Sequence, residues 1–416
     1  SAWLRTRRFW VQILAGAPGR LMIRKNFLLL QILLLTLITR VISIYFFGDE
    51  YISNEWGHIV SNLEKHNTFG LKNINGDIKP GIFMPPLYPF FLYSVKLIAQ
   101  EKFFYEAIFF FQILFSILST LFLFKILKKF YSEKVSYIFS LIFVLVPMNI
   151  YSATQFSSIN LQVLLMILFI FFLTNLYQSK NFKNLFLFSF VSGLLILLRG
   201  EFFLFYFLTL SFLFYKNKNI KLIFISLIFC LLTISPYLIR NYKNFGVITI
   251  TKSFGYNLWR GNNERTSVEG YVGKYNFDKE LTNKIESIKD FDKYDLIVDD
   301  YYRDAAVSNI KKNPLKYISL YFKKFFSFMF LDLNSTYPNY YNVFHTIPKL
   351  VLSLSTLVGI FLALKTTYLI NFFSLLYLTN IGLFSIFFIL PRYSLALLPL
   401  QIIISAFILK KIKPNF

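Results

Sequence analysis

Apolar residues along this chain come in long unbroken runs rather than in alternation. The first seven extend from Phe27 to Phe47, Phe103 to Phe124, Val135 to Tyr151, Leu161 to Tyr177, Leu185 to Leu198, Phe202 to Tyr215 and Ile220 to Ile239. Three more follow a long polar interval, from Pro348 to Leu364, Tyr368 to Leu390 and Tyr393 to Leu409. Runs of about 17 to 25 residues suit helical crossings of a bilayer, whereas a membrane β-barrel would show short alternating segments. The pattern therefore predicts an all-α polytopic membrane protein with about ten transmembrane helices. An eleventh apolar stretch, Leu87 to Ala99, reaches only about 20 Å as a helix and is read as lying in the interface, because Pro85, Pro86, Pro89 and Lys96 suit that position.

Leaving Leu87–Ala99 out of the span count divides the charges in a telling way. Hydrophobic residues make up 56% of the 416 and charged ones 16%, yet Lys and Arg number 44 against 21 acids. With ten spans and a cytoplasmic N-terminus, the inner segments hold nineteen basic residues and a single acid, Glu133. The basic excess is thus a positive-inside signal beside anionic lipid, and nucleic acid is not needed to explain it. The other face carries two long polar segments, 48–102 and 240–316, and the second nearly balances fourteen basic residues with eleven acidic ones. Segments of about 55 and 75 residues are too long for simple connections, which places the chemistry on that face. The expected organisation is a cytoplasmic N-terminus over 1–26, a seven-span module over 27–239 that includes the 48–102 loop, a loop region over 240–347, and three spans with a basic tail over 348–416. Residues 1–21 differ in composition from the rest and Met22 opens a basic lead, so that stretch is expected to be non-native.

Candidate chemistry clusters on the loop face. Asp49, Glu50 and Glu55 follow the first span within seven residues, and a carboxylate held at the interface suits a general base. Met84-Pro85-Pro86-Leu87-Tyr88-Pro89 sets a turn into the interfacial helix and brings Tyr88 with it. The second segment opens with Arg240-Asn241-Tyr242 and runs on through Lys252 to Gly255-Tyr256-Asn257-Leu258-Trp259-Arg260-Gly261-Asn262-Asn263. Glycines, asparagines and cations in that arrangement suit a phosphate, or else anchor the loop to lipid headgroups. Arg199 and Glu201 interrupt apolar sequence where two spans meet, and either pair with each other or serve the site; Arg392 lies at the last hairpin. Arg40, inside the first span, has no evident assignment. Cys230 is the only cysteine, so no intramolecular disulfide forms, and the three histidines show no metal-ligand spacing. No P-loop or dinucleotide fingerprint occurs.

Taken in order, the acids after the first span, the Pro-Pro-Leu-Tyr-Pro turn, seven spans before a large loop, the Arg-Asn-Tyr and Gly-Tyr-Asn-Leu-Trp motifs and the late Pro391-Arg392-Tyr393 resemble the C-type glycosyltransferases. That group includes the dolichyl-phosphate-mannose protein mannosyltransferases and the lipid A aminoarabinose transferase. The resemblance runs from roughly Arg40 to Pro399. It implies inverting transfer of a sugar from a polyprenyl-phosphate donor to a lipid, glycan or protein acceptor outside the membrane, with no cofactor and no nucleic acid. The base maps onto Asp49, with Glu50 and Glu55 as alternatives. Arg199, Arg240, Lys252, Arg260, Arg392 and Lys79 are the candidates for the donor phosphate, and Tyr88, Asn241, Tyr256, Asn257, Asn262 and Asn263 for contacts in the substrate loops. Residues Tyr151 to Leu161 contain no acid where the family carries a second one, and Met84 stands where a basic residue is common. A polyprenyl-lipid flippase, or a polymerase or ligase using a lipid diphosphate, is the competing expectation.

Overall fold

The computed structural model describes residues 18–412 except 73–75, 180, 272 and 365–367. Of the stretch expected to be non-native, only the backbone from residue 18 onward lies within the described residues. The chain forms α1 (Pro18–Phe47), α2 (Glu55–His66), α3 (Leu87–Ala99), α4 (Phe104–Phe130), α5 (Glu133–Leu145), α6 (Pro147–Tyr151), α7 (Ile159–Gln178), α8 (Phe182–Leu198), α9 (Phe202–Asn217) and α10 (Ile220–Phe245). There follow α11 (Phe254–Gly261), α12 (Lys279–Glu286), α13 (Tyr294–Lys312), α14 (Pro314–Met329), α15 (Val343–Ala363), α16 (Tyr368–Ile386) and α17 (Leu398–Ile412). Extended pairing among the described residues is confined to one bridge, Lys72 with Ile78. The all-helical polytopic expectation is met.

Seven of the described helical segments are long and apolar enough to cross a membrane: Phe27–Phe47, Glu101–Phe130, Ile159–Gln178, Ile220–Phe245, Val343–Ala363, Tyr368–Ile386 and Pro391–Ile412. The expectation of ten continuous spans is corrected in three places. Helices α8 and α9, with 17 and 16 residues, are apolar but short. Each reaches only about 25 Å against a hydrocarbon core of about 30 Å. The run Val135–Tyr151 is not one helix, since α5 ends at Leu145 and α6 restarts at Pro147. The last run stays a candidate span, although it opens as a 3₁₀ segment, Pro391–Leu397, before α17.

The break between α5 and α6 explains Arg40. Pro147 has no N–H to give to the carbonyl four residues back, and that carbonyl, Phe143 O, accepts instead from Asn149 Nδ2 at 2.8 Å. The next carbonyl, Val144 O, accepts from Arg40 Nη1 at 2.7 Å, and Arg40 is completely buried between α1 and α5. A guanidinium inside a span is expensive unless it meets such an acceptor, so Arg40 is the cap of a broken helix. The break turns the chain so that α6 and the loop behind it face the end of α1.

Around this break α4 packs on α1 and α7, α8 lies between α7 and α10, and α15 runs along α17. Short polar seams join the helices, with Ser189 to Ser226 at 2.7 Å, Tyr206 to Ser226 at 2.8 Å and Asn160 Nδ2 to Gln112 O at 2.8 Å. At membrane depth such pairs satisfy hydroxyls that would otherwise face hydrocarbon. Helix α3 buries Tyr88, Leu92 and Val95 and leaves Leu97 and Ile98 exposed. Helices α11 to α13 form a separate layer over the bundle, with Leu258, Trp259, Leu281, Ile285, Tyr302 and Ala306 as its core.

Candidate active site

Asp49 stands where α1 meets α6. Its backbone N–H donates to Thr154 O at 2.9 Å, and its Oδ2 accepts from the Phe156 N–H at 2.7 Å. Among the described residues the remaining carboxylate oxygen has no protein partner. Asn54, the N-cap of α2, donates to Phe156 O at 3.1 Å, so the loop that follows the broken span and the loop after α1 are tied together at both ends of the carboxylate. Tyr88 on α3 is buried with its hydroxyl unpartnered, edge-on to Trp56 at 5.0 Å. Burial and the nearby Asp49 charge push the Tyr88 hydroxyl well above the usual phenol range, so it stays protonated. Tyr151, at the end of α6, lies within electrostatic reach of both Asp49 and Tyr337. Glu50 and Glu55 are exposed, and Glu55 occupies the first turn of α2, where the helix dipole favours it.

The cations singled out from sequence have divergent surroundings. Arg199 Nε pairs with Glu201 at 2.6 Å, and its guanidinium lies 4.7 Å over Tyr393, which brings the α8–α9 junction against the Pro391–Leu397 hairpin. Arg240 donates to Gly81 O at 2.7 Å, Phe69 O at 2.9 Å and Asn241 Oδ1 at 2.7 Å, so it fastens the first loop to α10. Asn241 in turn donates to Thr249 O at 2.7 Å. Lys252 pairs with Asp300 at 3.2 Å and Lys79 with Asp292 at 2.7 Å. Arg260 stacks 4.2 Å from the Phe388 ring and meets no acceptor, and its Nε is buried. Arg392 is exposed with no ion pair.

The asparagines of the second motif turn inward on the fold. Asn262 Nδ2 donates to Leu258 O and Ile386 O, both at 2.8 Å, and Asn263 Nδ2 to Trp259 O at 3.0 Å. The Tyr256 N–H donates to Asp299 at 3.0 Å, while Asn257 is half-buried on the same helix. Beneath them Lys324, fully buried on α14, donates to Gly261 O at 2.7 Å and to Phe387 O. Burial pulls the Lys324 ammonium down to about 7, and a neutral amine still has two N–H groups for those two carbonyls. Between about pH 7 and 10.5 the unfolded chain then binds a proton that the fold does not, so stability rises as pH rises through that window. Thermal unfolding in detergent at pH 6.5 and 9.5 checks this: the midpoint shift between them should shrink in Lys324→Met.

Sequence reasoning missed a cation that borders the same short helix as Asp49 and suits a phosphate. Lys349 and His345 lie four residues apart on one face of α15, above a pocket of about 40 Å³ lined by Val146, Met148, Pro348, Leu352 and Leu398. Lys349 sits 5.7 Å from the Phe328 ring, and among the described residues it meets no hydrogen-bond acceptor while His345 Nε2 is buried without a partner. Met148 and Tyr151 are three residues apart on α6, so the same short helix borders both this pocket and the Asp49 site. The signal was present as a lysine one residue inside an apolar run with a histidine four before it. Two further acids were missed: Glu269 accepts from the Thr336 N–H at 3.1 Å and Thr336 Oγ1 at 3.0 Å, and its charge reaches Asp332. Among the described residues no three of His, Cys, Asp and Glu converge as a metal-holding group.

No curated protein matches the chain. Residues 84–239, from the proline turn before α3 almost to the end of α10, match the family model of the dolichyl-phosphate-mannose-protein mannosyltransferases, and with the apolar helices this match supports a multi-pass membrane glycosyltransferase of the C type.

Proposed function

We propose that the chain transfers a sugar from a polyprenyl-phosphate donor to an acceptor on the loop face of a bacterial inner membrane, both termini lying on the cytoplasmic side. The observation that carries this reading is that α6 borders both a carboxylate with one oxygen unpartnered among the described residues and a small pocket lined by Lys349, which forms no ion pair among those residues. An amphiphilic phosphate suits the second feature, with its charge at Lys349 and its prenyl chain along the exposed apolar residues of α15 such as Val351, Leu354 and Val358, outside the small pocket. The free oxygen of Asp49 takes the proton of an acceptor hydroxyl as that oxygen bonds to the anomeric carbon. The bond from that carbon to the lipid phosphate breaks, and the phosphate leaves with the electron pair. One displacement inverts the anomeric centre. Lys349 gains most from the charge that develops on the leaving phosphate, which is where a fixed cation accelerates the step. Arg392 and Arg260, free of carboxylates, are the remaining cations for donor or acceptor. No step calls on a metal ion. In this scheme 27–239 carries the base, 240–347 covers the site and 348–416 supplies Lys349.

Native mass spectrometry of the protein purified in mild detergent tests the reading. A polyprenyl phosphate or its sugar ester should co-purify, and Lys349→Met should lower its occupancy about tenfold, the loss of one charge-assisted contact. Bulk phospholipid alone, with no binding when polyprenyl phosphate is added, would overturn it in favour of a different donor or a transporter.

A further inference from the structure

A further cavity lies away from Asp49. It measures about 310 Å³ and opens between the first loop (Lys79, Gly81, Phe83) and the layer of α11 and α13 (Tyr256, Asp295, Tyr302). That volume is at the small end of ordinary ligand sites. Its walls are aromatic and hydrogen-bonding at once. Phe83 meets Tyr256 edge-on at 5.5 Å, Tyr256 meets Tyr302 at 5.3 Å, and Phe291 stacks on Tyr294 at 6.2 Å.

The polar groups of the cleft are held in place but not used up. Asp295 Oδ2 accepts from the N–H groups of Ile82 at 2.8 Å and Phe83 at 3.2 Å, which leaves Oδ1 without a partner among the described residues. Tyr302 is only 6% exposed and lines the cavity, and among the described residues no hydrogen bond to its hydroxyl is formed. The hydroxyl is therefore open to the cavity, where a ligand's hydroxyl can meet it. Lys72 and Lys79 stand against Asp292, Asp295 and Asp299, and Lys79 is already paired with Asp292. The charges nearly cancel, so the cleft has little to hold a strongly charged ligand.

We infer that this cleft binds a short neutral saccharide, with aromatic rings against its C–H faces and Tyr302 and Asp295 on its hydroxyls. A sugar alternates apolar ring faces with hydroxyl edges, and the cleft alternates rings with free acceptors in the same way. The inference rests on the proposed function only in naming that saccharide as part of the acceptor. The binding itself requires no transfer.

Saturation-transfer NMR on the purified protein, with no donor present, tests it using mannobiose, cellobiose and chitobiose at millimolar concentration. At least one should receive saturation at its ring C–H protons. Tyr302→Phe keeps the ring and removes only the hydroxyl, and Tyr294→Leu removes one aromatic wall; each should weaken the signal threefold or more with an unchanged thermal midpoint. No transfer to any of the three sugars would overturn the inference. So would a signal that survives both variants, or saturation of a trilysine peptide in place of the sugars. A protein that binds sugar here yet transfers none would sink the proposed function and leave the cleft standing.

Discussion

Asp49→Asn should cut single-turnover transfer from a polyprenyl-phosphate mannose donor by a factor of about 10² to 10⁴, the usual contribution of a general base. Folding should be unaffected, because the asparagine carbonyl can still accept from the Phe156 N–H that holds Asp49 Oδ2 at 2.7 Å. What changes is the free position, where an acceptor for the hydroxyl proton becomes an amide donor. Donor binding should also persist, since Lys349 is untouched. Glu50→Gln and Glu55→Gln, at exposed positions, should each stay within a few-fold of the parent. Full transfer by Asp49→Asn with loss in either glutamate variant would move the base and overturn the assignment.

Gly261→Ala should lower stability by about 3 kcal/mol, the upper end of ordinary overpacking. A Cβ at this position would stand 1.9 Å from Phe387 O and 2.3 Å from its carbonyl carbon. Both are backbone atoms, so no side chain can swing away. The same few residues receive Lys324 Nζ and Asn262 Nδ2, and through them the layer of α11 to α13 is joined to the end of α16. Thermal unfolding in detergent should show the loss, and partial proteolysis should show the 254–312 layer opening before the bundle. An unchanged midpoint would mean that the two segments part without cost.

The two variants probe different kinds of information. Run length and charge placement determined the class of this protein directly: apolar runs near a bilayer's thickness have to become helices, because an unpaired backbone N–H in hydrocarbon costs several kcal/mol. That α3 is too short to cross was equally legible, since it has only 13 residues. The acids at 49–55 could be singled out but not ranked. Only the fold separates Asp49, oriented by a backbone N–H from a loop 107 residues away, from its exposed neighbours.

The cations show the limit most clearly. By residue type Arg240 was the natural phosphate ligand, yet its donors go to carbonyls at Phe69 and Gly81, which lie nearly 160 positions or more away in the chain. Lys349 read as the start of a span, and only the packing of α15 beside α6 brings it near Asp49 without an acceptor of its own. The break at Pro147 was visible as a proline in an apolar run, but its consequence, a turn capped by a buried Arg40, depended on which carbonyls faced which helix. Sequence alone determined what could not stay in water and what could not stay in lipid. Tertiary structure decided which charges were already spent on the backbone and which remained for a ligand, because hydrogen-bond satisfaction is a property of neighbours in space and not of residue type.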